Sequence, residues 1–217
     1  MKVCTDSCLF GAWLADRLKA RGGNLLDIGT GTGLLSLMLA QESRFEIDAV
    51  EVDDETSREA AENVAGSPWL SRISVHHGKI QQYPAAKNYD VLMSNPPYYE
   101  TNLKSPQDKR NLALHSADLS LEQLFTHAYR LSSATTELAL LLPYARTEEA
   151  KARAAQMGWK PQEQVNVRQT EKHSFFRVML LFGRTEQPAR EMEMIIKENG
   201  DYSAAFKQLL APYYLAL

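Results

Sequence analysis

The stretch that decides the fold is Asn24-Leu25-Leu26-Asp27-Ile28-Gly29-Thr30-Gly31-Thr32-Gly33. The apolar run at residues 25–28 predicts a buried strand, and the apolar run at residues 34–40 has the length of a helix. Glycine lets the backbone take conformations that a Cβ would forbid, and it lets a ligand approach closely. The amides at the start of the following helix would face that ligand. The stretch predicts a strand, a ligand-binding turn and a helix, although a glycine-rich turn without a ligand would show the same pattern.

Strands and helices alternate along the rest of the chain. Helices are predicted at residues 9–18, 55–65, 121–131 and 147–157, and further strands at 46–52, 72–76, 89–94, 137–142, 165–167 and 175–182. This alternation predicts an α/β fold, a parallel sheet with helices on both faces. We expect a single domain over residues 1–217, with a helical lead-in at 1–22 and a C-terminal tail helix at 199–217. Residues 100–119 have little periodicity, which predicts a functional insertion on the substrate side.

Composition limits the classes of protein and partner. The 217 residues, 44% hydrophobic and 24% charged, suit one globular domain. Because the net charge is -3, any nucleic-acid binding must use a local basic patch. No apolar run approaches roughly 18 residues and no signal peptide opens the chain, so we expect a cytoplasmic protein without a membrane partner. The two cysteines, Cys4 and Cys8, have no ligand-spaced partners, so we expect reduced thiols and no metal.

Ligands of parallel sheets bind outside the carboxyl ends of the strands, and three predicted strands end in polar motifs. The first ends in the glycine turn, the second at Glu51 and the fourth at Asn95. Glu51 lies about twenty residues after the turn, which fits a carboxylate that accepts both hydroxyls of a ribose. Gly-x-Gly-x-Gly lacks the spacing that fits a pyrophosphate, which favours a nucleoside such as S-adenosylmethionine. Val52 could cover the adenine, although a solvated acid and a core valine are the plain alternatives.

The turn Asn95-Pro96-Pro97-Tyr98 directly follows the fourth strand. Two consecutive prolines fix φ and remove two donors, which predicts a rigid turn that aims one carbonyl oxygen. The Asn side-chain oxygen can aim at the same point. An NH2 group that donates to both oxygens keeps its lone pair free to attack a methyl sulfonium. Tyr98 offers a surface for stacking a planar target, worth roughly 1–3 kcal/mol per base. A plain proline turn is the alternative.

Together, these two motifs resemble the class I methyltransferases that methylate the amino nitrogen of adenine or of a glutamine amide. The flanking sequence resembles the bacterial tRNA1(Val) adenine-37 N6-methyltransferase family. This second resemblance covers nearly the whole chain and rests on Met1-Lys2-Val3-Cys4-Thr5-Asp6, Gly11-Ala12-Trp13, Leu103-Lys104-Ser105-Pro106, His115, residues 119–124, Tyr202-Ser203, Phe206, Leu209-Leu210 and Tyr213-Tyr214-Leu215.

The resemblance implies a fold, a reaction and a set of site residues. The implied fold is a doubly wound, Rossmann-like sheet of seven mostly parallel strands with the last strand antiparallel. The implied reaction transfers a methyl group from S-adenosylmethionine to N6 of adenine 37 of a tRNA. The implied catalytic residues are Asn95, Pro96, Pro97 and Tyr98, and Tyr98 would stack the base. The implied cofactor residues are Thr5, Asp27, Gly29, Thr30, Gly31, Gly33, Glu51, Val52 and Ile80.

Two departures from the family pattern, and a basic cluster, complete the sequence picture. Lys79 stands where the superfamily often has an acid that accepts the cofactor's adenine amine, so either a backbone group or Gln81 replaces that acid or the affinity for the cofactor is reduced. Relatives usually carry more chain before the position of Met1, so we expect an N-terminal strand or hairpin to be missing. The candidates for RNA contact are Lys104, Lys109 and Arg110, with Arg146 and Lys172 as weaker ones.

Three functions remain open from the sequence. The first is a tRNA adenine-N6 methyltransferase, with an rRNA adenine-N6 methyltransferase as a variant. The second is a protein glutamine N5-methyltransferase of the release-factor type, which usually carries an extra N-terminal helical domain. The third is a binding module without chemistry, against which the intact Asn95-Pro96-Pro97-Tyr98 turn argues. A DNA adenine methyltransferase would need a target-recognition domain, for which the chain has no room.

Overall fold

The computed structural model describes residues 4–84, 86–96 and 119–215. The helices are α1 (Thr5–Arg17), α2 (Leu34–Glu42), α3 (Asp54–Ala65), α4 (Leu121–Arg130), α5 (Thr147–Gln156) and α6 (Ala204–Leu210). The strands are β1 (Gly22–Ile28), β2 (Arg44–Glu51), β3 (Ile73–His77), β4 (Tyr89–Ser94), β5 (Ser132–Pro143), β6 (Lys160–Arg168), β7 (Arg177–Gly183), β8 (Arg190–Ile195), β9 (Lys197–Glu198) and β10 (Asp201–Tyr202).

Eight of these strands form one sheet in the order β3-β2-β1-β4-β5-β7-β6-β8. The five strands from β3 to β5 are parallel, β7 runs antiparallel to both β5 and β6, and β8 pairs parallel with β6. The expected doubly wound fold with an antiparallel last strand is confirmed for the first seven strands. The sheet has one strand more than the seven expected. The additional strand is β8, at the edge of the sheet. Four of its six residues are exposed, so its sequence lacks the apolar pattern from which a strand is predicted.

Two hydrophobic cores lie on opposite faces of the sheet. Successive strand residues point to opposite faces, and so Leu25 belongs to the core that contains α1, α2 and α6. Leu26 belongs to the core that contains α4 and α5. Because every central strand is covered on both faces, it reads as a continuous apolar run rather than as an alternating one. The helices thus hold the carboxyl ends of β1, β2 and β4 in fixed positions along one edge.

Local sequence signals set several element boundaries, and tertiary contacts set others. Helices α3, α4 and α6 each begin after a residue whose side chain accepts a backbone amide of the first turn, namely Asp53, Ser120 and Ser203. Strand β6 extends five residues before the predicted start at residue 165, through polar residues. Glu163 is buried there because it accepts from Trp13 Nε1 at 3.0 Å and from Arg17 at 2.7 Å. Within the described part of the chain, no helix is long and apolar enough to cross a membrane.

Candidate active site

The glycine turn joins the end of β1 to the start of α2. Gly29, Gly31 and Gly33 have φ angles of 73°, 60° and 83°, a region that side chains rarely adopt. A Cβ built on Gly29 would meet no atom within 4 Å, so open space lies directly beside the turn. The amides of Gly29 and Thr30 donate to the carbonyl of Val50 at 2.9 and 3.1 Å, which ties the turn to β2. The turn is therefore a backbone surface held in place by β2, with open space beside Gly29 in which a ligand could bind.

Asp27 supports the turn from inside the protein. It is fully buried, and its Oδ2 accepts from Thr30 Oγ1 at 2.6 Å and from Ser36 Oγ at 2.8 Å. Burial raises the pKa of the Asp27 carboxyl to about 6, against the opposing effect of these two hydrogen bonds. Among the described residues, Oδ1 has no hydrogen-bond partner. The buried carboxylate thus ties the turn, through Thr30, to the first residues of α2, through Ser36.

Glu51 lies at the end of β2, directly against the glycine turn. Its Oε2 accepts from the Gly31 amide at 2.9 Å, and its Oε1 accepts from the amides of Val52 and Asp53 at 2.9 Å. Three backbone amides therefore hold the carboxylate in place. A carboxylate oxygen has two acceptor sites, so Oε2 can accept a further donor such as a hydroxyl. The structure brings Glu51 and the turn together, as their spacing in the sequence predicts.

A narrow crevice opens beside the turn, between the ends of β1, β2 and β3. Its lining residues are Ile28, Gly29, Val50, Val52, Gly78, Lys79, Ile80, Gln81 and Leu119. Gly78 has a φ of 147°, and a Cβ there would meet no atom within 4 Å. The crevice thus has apolar walls from Val52 and Ile80 and open space over two glycines, which fits a flat heterocycle. Lys79, which stands where the superfamily often has an acid, and Gln81, its expected substitute, both line the crevice.

Asn95 directly follows the last residue of β4, at the neighbouring position along the same edge. Its Nδ2 donates to Ser7 Oγ at 2.9 Å, and Ser7 lies in the first turn of α1. Ser94 Oγ donates to the carbonyl of Ile28 at 2.7 Å, which holds the end of β4 against β1. With its nitrogen bonded to Ser7, Asn95 keeps its side-chain oxygen as an acceptor for another group. Ser7 was not predicted, because it lies 88 residues away in the sequence and belongs to no local motif.

The remaining predicted site residues fall into three groups: beside Asn95, outside the described residues, and away from the crevice. Pro96 is buried beside Asn95. Pro97, Tyr98, Lys104, Lys109, Arg110 and His115 lie outside the described residues, so their roles stay predictions. Thr5 lies two residues before Ser7 and lines a separate cavity rather than the crevice. Of the two weaker candidates for RNA contact, Arg146 donates from Nε to Glu149 at 3.0 Å, and Lys172 is exposed to solvent.

The two histidines at the end of β3 each have a hydrogen-bond partner. His76 Nε2 lies 2.8 Å from Asp48 Oδ1, and His77 Nε2 lies 3.2 Å from the carbonyl of Val52. In residues 4–84, 86–96 and 119–215, no group of three or more His, Cys, Asp or Glu side chains could hold a metal ion. Cys4 and Cys8 are both free thiols, and Cys8 is buried.

Comparison with known proteins agrees with this geometry. Residues 10–123 match the family described as "Methyltransferase small domain". Solved structures with the same fold include a protein described as a predicted O-methyltransferase from Agrobacterium tumefaciens, with a TM-score of 0.73 and 16% identity over 94% of this chain and 95% of that one. Another is a ribosomal protein L11 methylase from Lactobacillus delbrueckii subsp. bulgaricus, with a TM-score of 0.63 and 13% identity over 85% of this chain and 81% of that one. The fold and the site thus define a class I methyltransferase that uses S-adenosylmethionine.

Curated relatives narrow the class to one family. A protein of Dyadobacter fermentans is 38% identical over 99% of this chain and 91% of its own length. A protein of Tolumonas auensis is 37% identical over 100% of this chain and 91% of its own length. Both are named tRNA1(Val) (adenine(37)-N6)-methyltransferase. The chain belongs to the family of these enzymes, and the family resemblance stated from the sequence is confirmed.

Proposed function

We propose that the protein transfers a methyl group from S-adenosylmethionine to the exocyclic N6 of an adenine in tRNA, namely adenine 37 of tRNA1(Val). The observation that carries the proposal is the hydrogen bond from Asn95 to Ser7, which leaves one pre-oriented oxygen for an amine. The names of the relatives direct the choice of tRNA. We place the activity in the cytoplasm.

The residues present fit the cofactor. Open space over Gly29 and Gly78 admits a ligand, and Val52 and Ile80 form apolar walls for its adenine. Glu51 has acceptor capacity for the ribose hydroxyls, in addition to the amides that it already holds. When bound, S-adenosylmethionine supplies an electrophilic methyl group on a sulfonium. The task left to the protein is to position the accepting amine.

Positioning the amine requires acceptors rather than a strong base. The N6 nitrogen is a weak nucleophile, because its lone pair is delocalised into the ring. The Asn95 oxygen and the Pro96 carbonyl would accept hydrogen bonds from its two N–H groups and so favour a pyramidal nitrogen whose lone pair is free. Catalysis of this kind depends on orientation and pre-organised electrostatics. The adenine must also leave its stack, which costs a few kcal/mol and less in a loop.

RNA contact would be local, since the whole chain carries a net charge of -3. We propose Lys104, Lys109 and Arg110 for this contact, because they follow the proline turn closely in the sequence. Tyr98 would stack the target base.

The test of the function separates it from glutamine methylation. The protein is incubated with a labelled methyl donor and either unmodified total tRNA or release factors, and nucleosides and peptides are then analysed by mass. The proposal requires N6-methyladenosine in tRNA. Methylated glutamine in a release factor, with unlabelled tRNA, would contradict it, because the same Asn-Pro-Pro-Tyr turn can hold a glutamine amide.

Cofactor choice gives a second prediction. We expect S-adenosylhomocysteine to bind and NAD not to bind, because Gly-x-Gly-x-Gly lacks the spacing that fits a pyrophosphate. Calorimetric titration of the protein with each compound measures this. Binding of NAD without any response to the adenosyl compound would contradict the assignment of the crevice.

Replacing Glu51 with glutamine tests the ribose site. The variant should bind S-adenosylhomocysteine about 10-fold more weakly or worse, since hydrogen bonds to a charged group contribute about 1.5–3 kcal/mol. The new NH2 group also cannot accept, whereas both carboxylate oxygens do. Glu46→Gln, an exposed change on the same strand, is the matched control and should bind normally. Equal affinities of the two variants would remove Glu51 from the site.

A further inference from the structure

A cavity of about 350 Å³ lies beside the first turn of α1, apart from the cofactor crevice. Its walls come from three regions, the start of α1, the loop between β6 and β7, and the segment after β8. The lining residues that matter here are Thr5, Asp6, Gln169, Phe176, Lys197 and Tyr202. None of the residues that line the cofactor crevice lines this cavity.

The strand order places the cavity on the substrate side of Asn95. Along the binding edge, the cofactor crevice adjoins β1, β2 and β3, Asn95 follows β4, and β5, β7, β6 and β8 come next. Because β7 is antiparallel, its first residues lie at the same edge as the last residues of β6 and β8. Strands are spaced by about 4.8 Å, so β7 lies only about 10 Å from β4.

The helix α1 links the cavity to the catalytic position. Asp6 lines the cavity, and the next residue, Ser7, holds the Asn95 side chain. One residue of an α-helix advances by about 1.5 Å, so the two side chains belong to one helical turn. The cavity is therefore close enough to Asn95 to receive the unit next to a target group held there.

The chemistry of the walls suits a nucleobase. Phe176 is 36% exposed, and the Arg177 guanidinium lies over its ring at 5.6 Å from the centroid, which leaves the other face for a base. Tyr202 forms a rigid wall because it stacks on Phe206 with ring centroids 4.6 Å apart. The amide of Gln169 carries both a donor and an acceptor, the combination that reads a base edge. The Asp6 charge is compensated by Arg177 Nε at 2.8 Å. The Lys197 ammonium lies over the Tyr202 ring, 5.5 Å from its centroid, and adds positive charge at the mouth.

We infer that this cavity binds the unpaired nucleobase next to the target adenine in the substrate RNA, and so contributes to the choice of loop sequence. The inference rests on the proposed function for the identity of the substrate. Aromatic stacking, one amide and one cation are the usual elements by which proteins bind unstacked bases of single-stranded RNA. The cavity would hold the flanking base while Asn95 holds the target.

Fluorescence of 2-aminopurine tests the inference without requiring methylation. The probe replaces the nucleotide on either side of the target adenine in an unmodified anticodon stem-loop, and the full-length protein is titrated in. One of the two positions should change its fluorescence on binding. In Phe176→Ala, the change should disappear and the RNA should bind about 10-fold more weakly, consistent with loss of one stacking contact.

Controls keep the test specific. Tyr129→Ala removes an aromatic ring that is 50% exposed on α4, away from the cavity, and should behave as wild type. Lys197→Ala should weaken RNA binding more than Lys160→Ala, since Lys160 lies at the opposite end of β6. Gln169→Ala should reduce the preference between purine and pyrimidine at the flanking position. Unchanged thermal unfolding of each variant shows that it folds.

The outcomes distinguish this inference from the proposed function. N6-methyladenosine formation without a fluorescence change at either position, or an equal change in Phe176→Ala and wild type, overturns the inference alone. A Phe176-dependent change with no N6-methyladenosine supports the cavity and contradicts the proposed reaction. Failure to bind the stem-loop overturns the inference, and failure to bind it together with no N6-methyladenosine in tRNA overturns both.

Discussion

Asn95→Ala is expected to lower the rate of methyl transfer to tRNA by about 10²–10³-fold, the usual effect of removing one pre-organised polar contact to a reacting group. The loss should appear in kcat, because the amine is held for the chemical step. Binding of S-adenosylhomocysteine should not change, since the crevice that fits it is built from other residues. Single-turnover methylation of unmodified tRNA and calorimetry measure these two quantities.

Three companion variants test the geometry around Asn95. Ser7→Ala removes only the partner of the Asn95 nitrogen, so it should reduce kcat less than Asn95→Ala while leaving the KM for tRNA unchanged. Tyr98→Ala should weaken capture of the base, by roughly 1–3 kcal/mol, and Tyr98→Phe should be mild. Methylation by Asn95→Ala at the wild-type rate would contradict the proposed role of Asn95 in holding the accepting amine.

Asp27 should make the cofactor-free protein less stable as the pH rises from 4 to 7. The folded-state pKa of this carboxyl, about 6, lies above its ordinary value of 3.8. A raised pKa means that the native state holds the proton more tightly than the unfolded chain. The stabilisation from the protonated form is therefore complete below pH 3.8 and is lost as the pH rises through 6. Between pH 4 and 7, the loss is about 2 kcal/mol of unfolding free energy.

Asp27→Asn isolates this contribution. The variant has no carboxyl to ionise, so its unfolding free energy relative to wild type should increase by about 2 kcal/mol between pH 4 and 7. Denaturant unfolding at the two pH values measures the difference. Asp16→Asn, which removes an exposed carboxylate from α1, should follow wild type at both. A difference between Asp27→Asn and wild type that does not vary with pH would mean that Asp27 ionises normally.

Some features could be predicted from the sequence because short-range backbone preferences and the order of the strands determine them. The glycine turn needs left-handed backbone angles at Gly29, Gly31 and Gly33, and the structure has them. Strand β4 spans Tyr89–Ser94, the predicted residues, because it is a mostly apolar run that is followed in the sequence by Asn95 and two prolines. The position of Glu51 against the turn follows from its place at the end of the neighbouring parallel strand. These signals are enough to recognise the class of enzyme.

Tertiary structure alone decided which distant residues meet. Ser7 and Asn95 are 88 residues apart, and Trp13 and Glu163 are 150 apart, so no local pattern links either pair. Strand β8 and the cavity beside α1 depend on the edge order of the sheet, which periodicity does not encode. Short-range conformational preference thus determined the turn, the strands and the chemistry of the motifs. Burial and packing between elements determined the partner of Asn95, the raised pKa of Asp27 and the extra strand at the edge of the sheet.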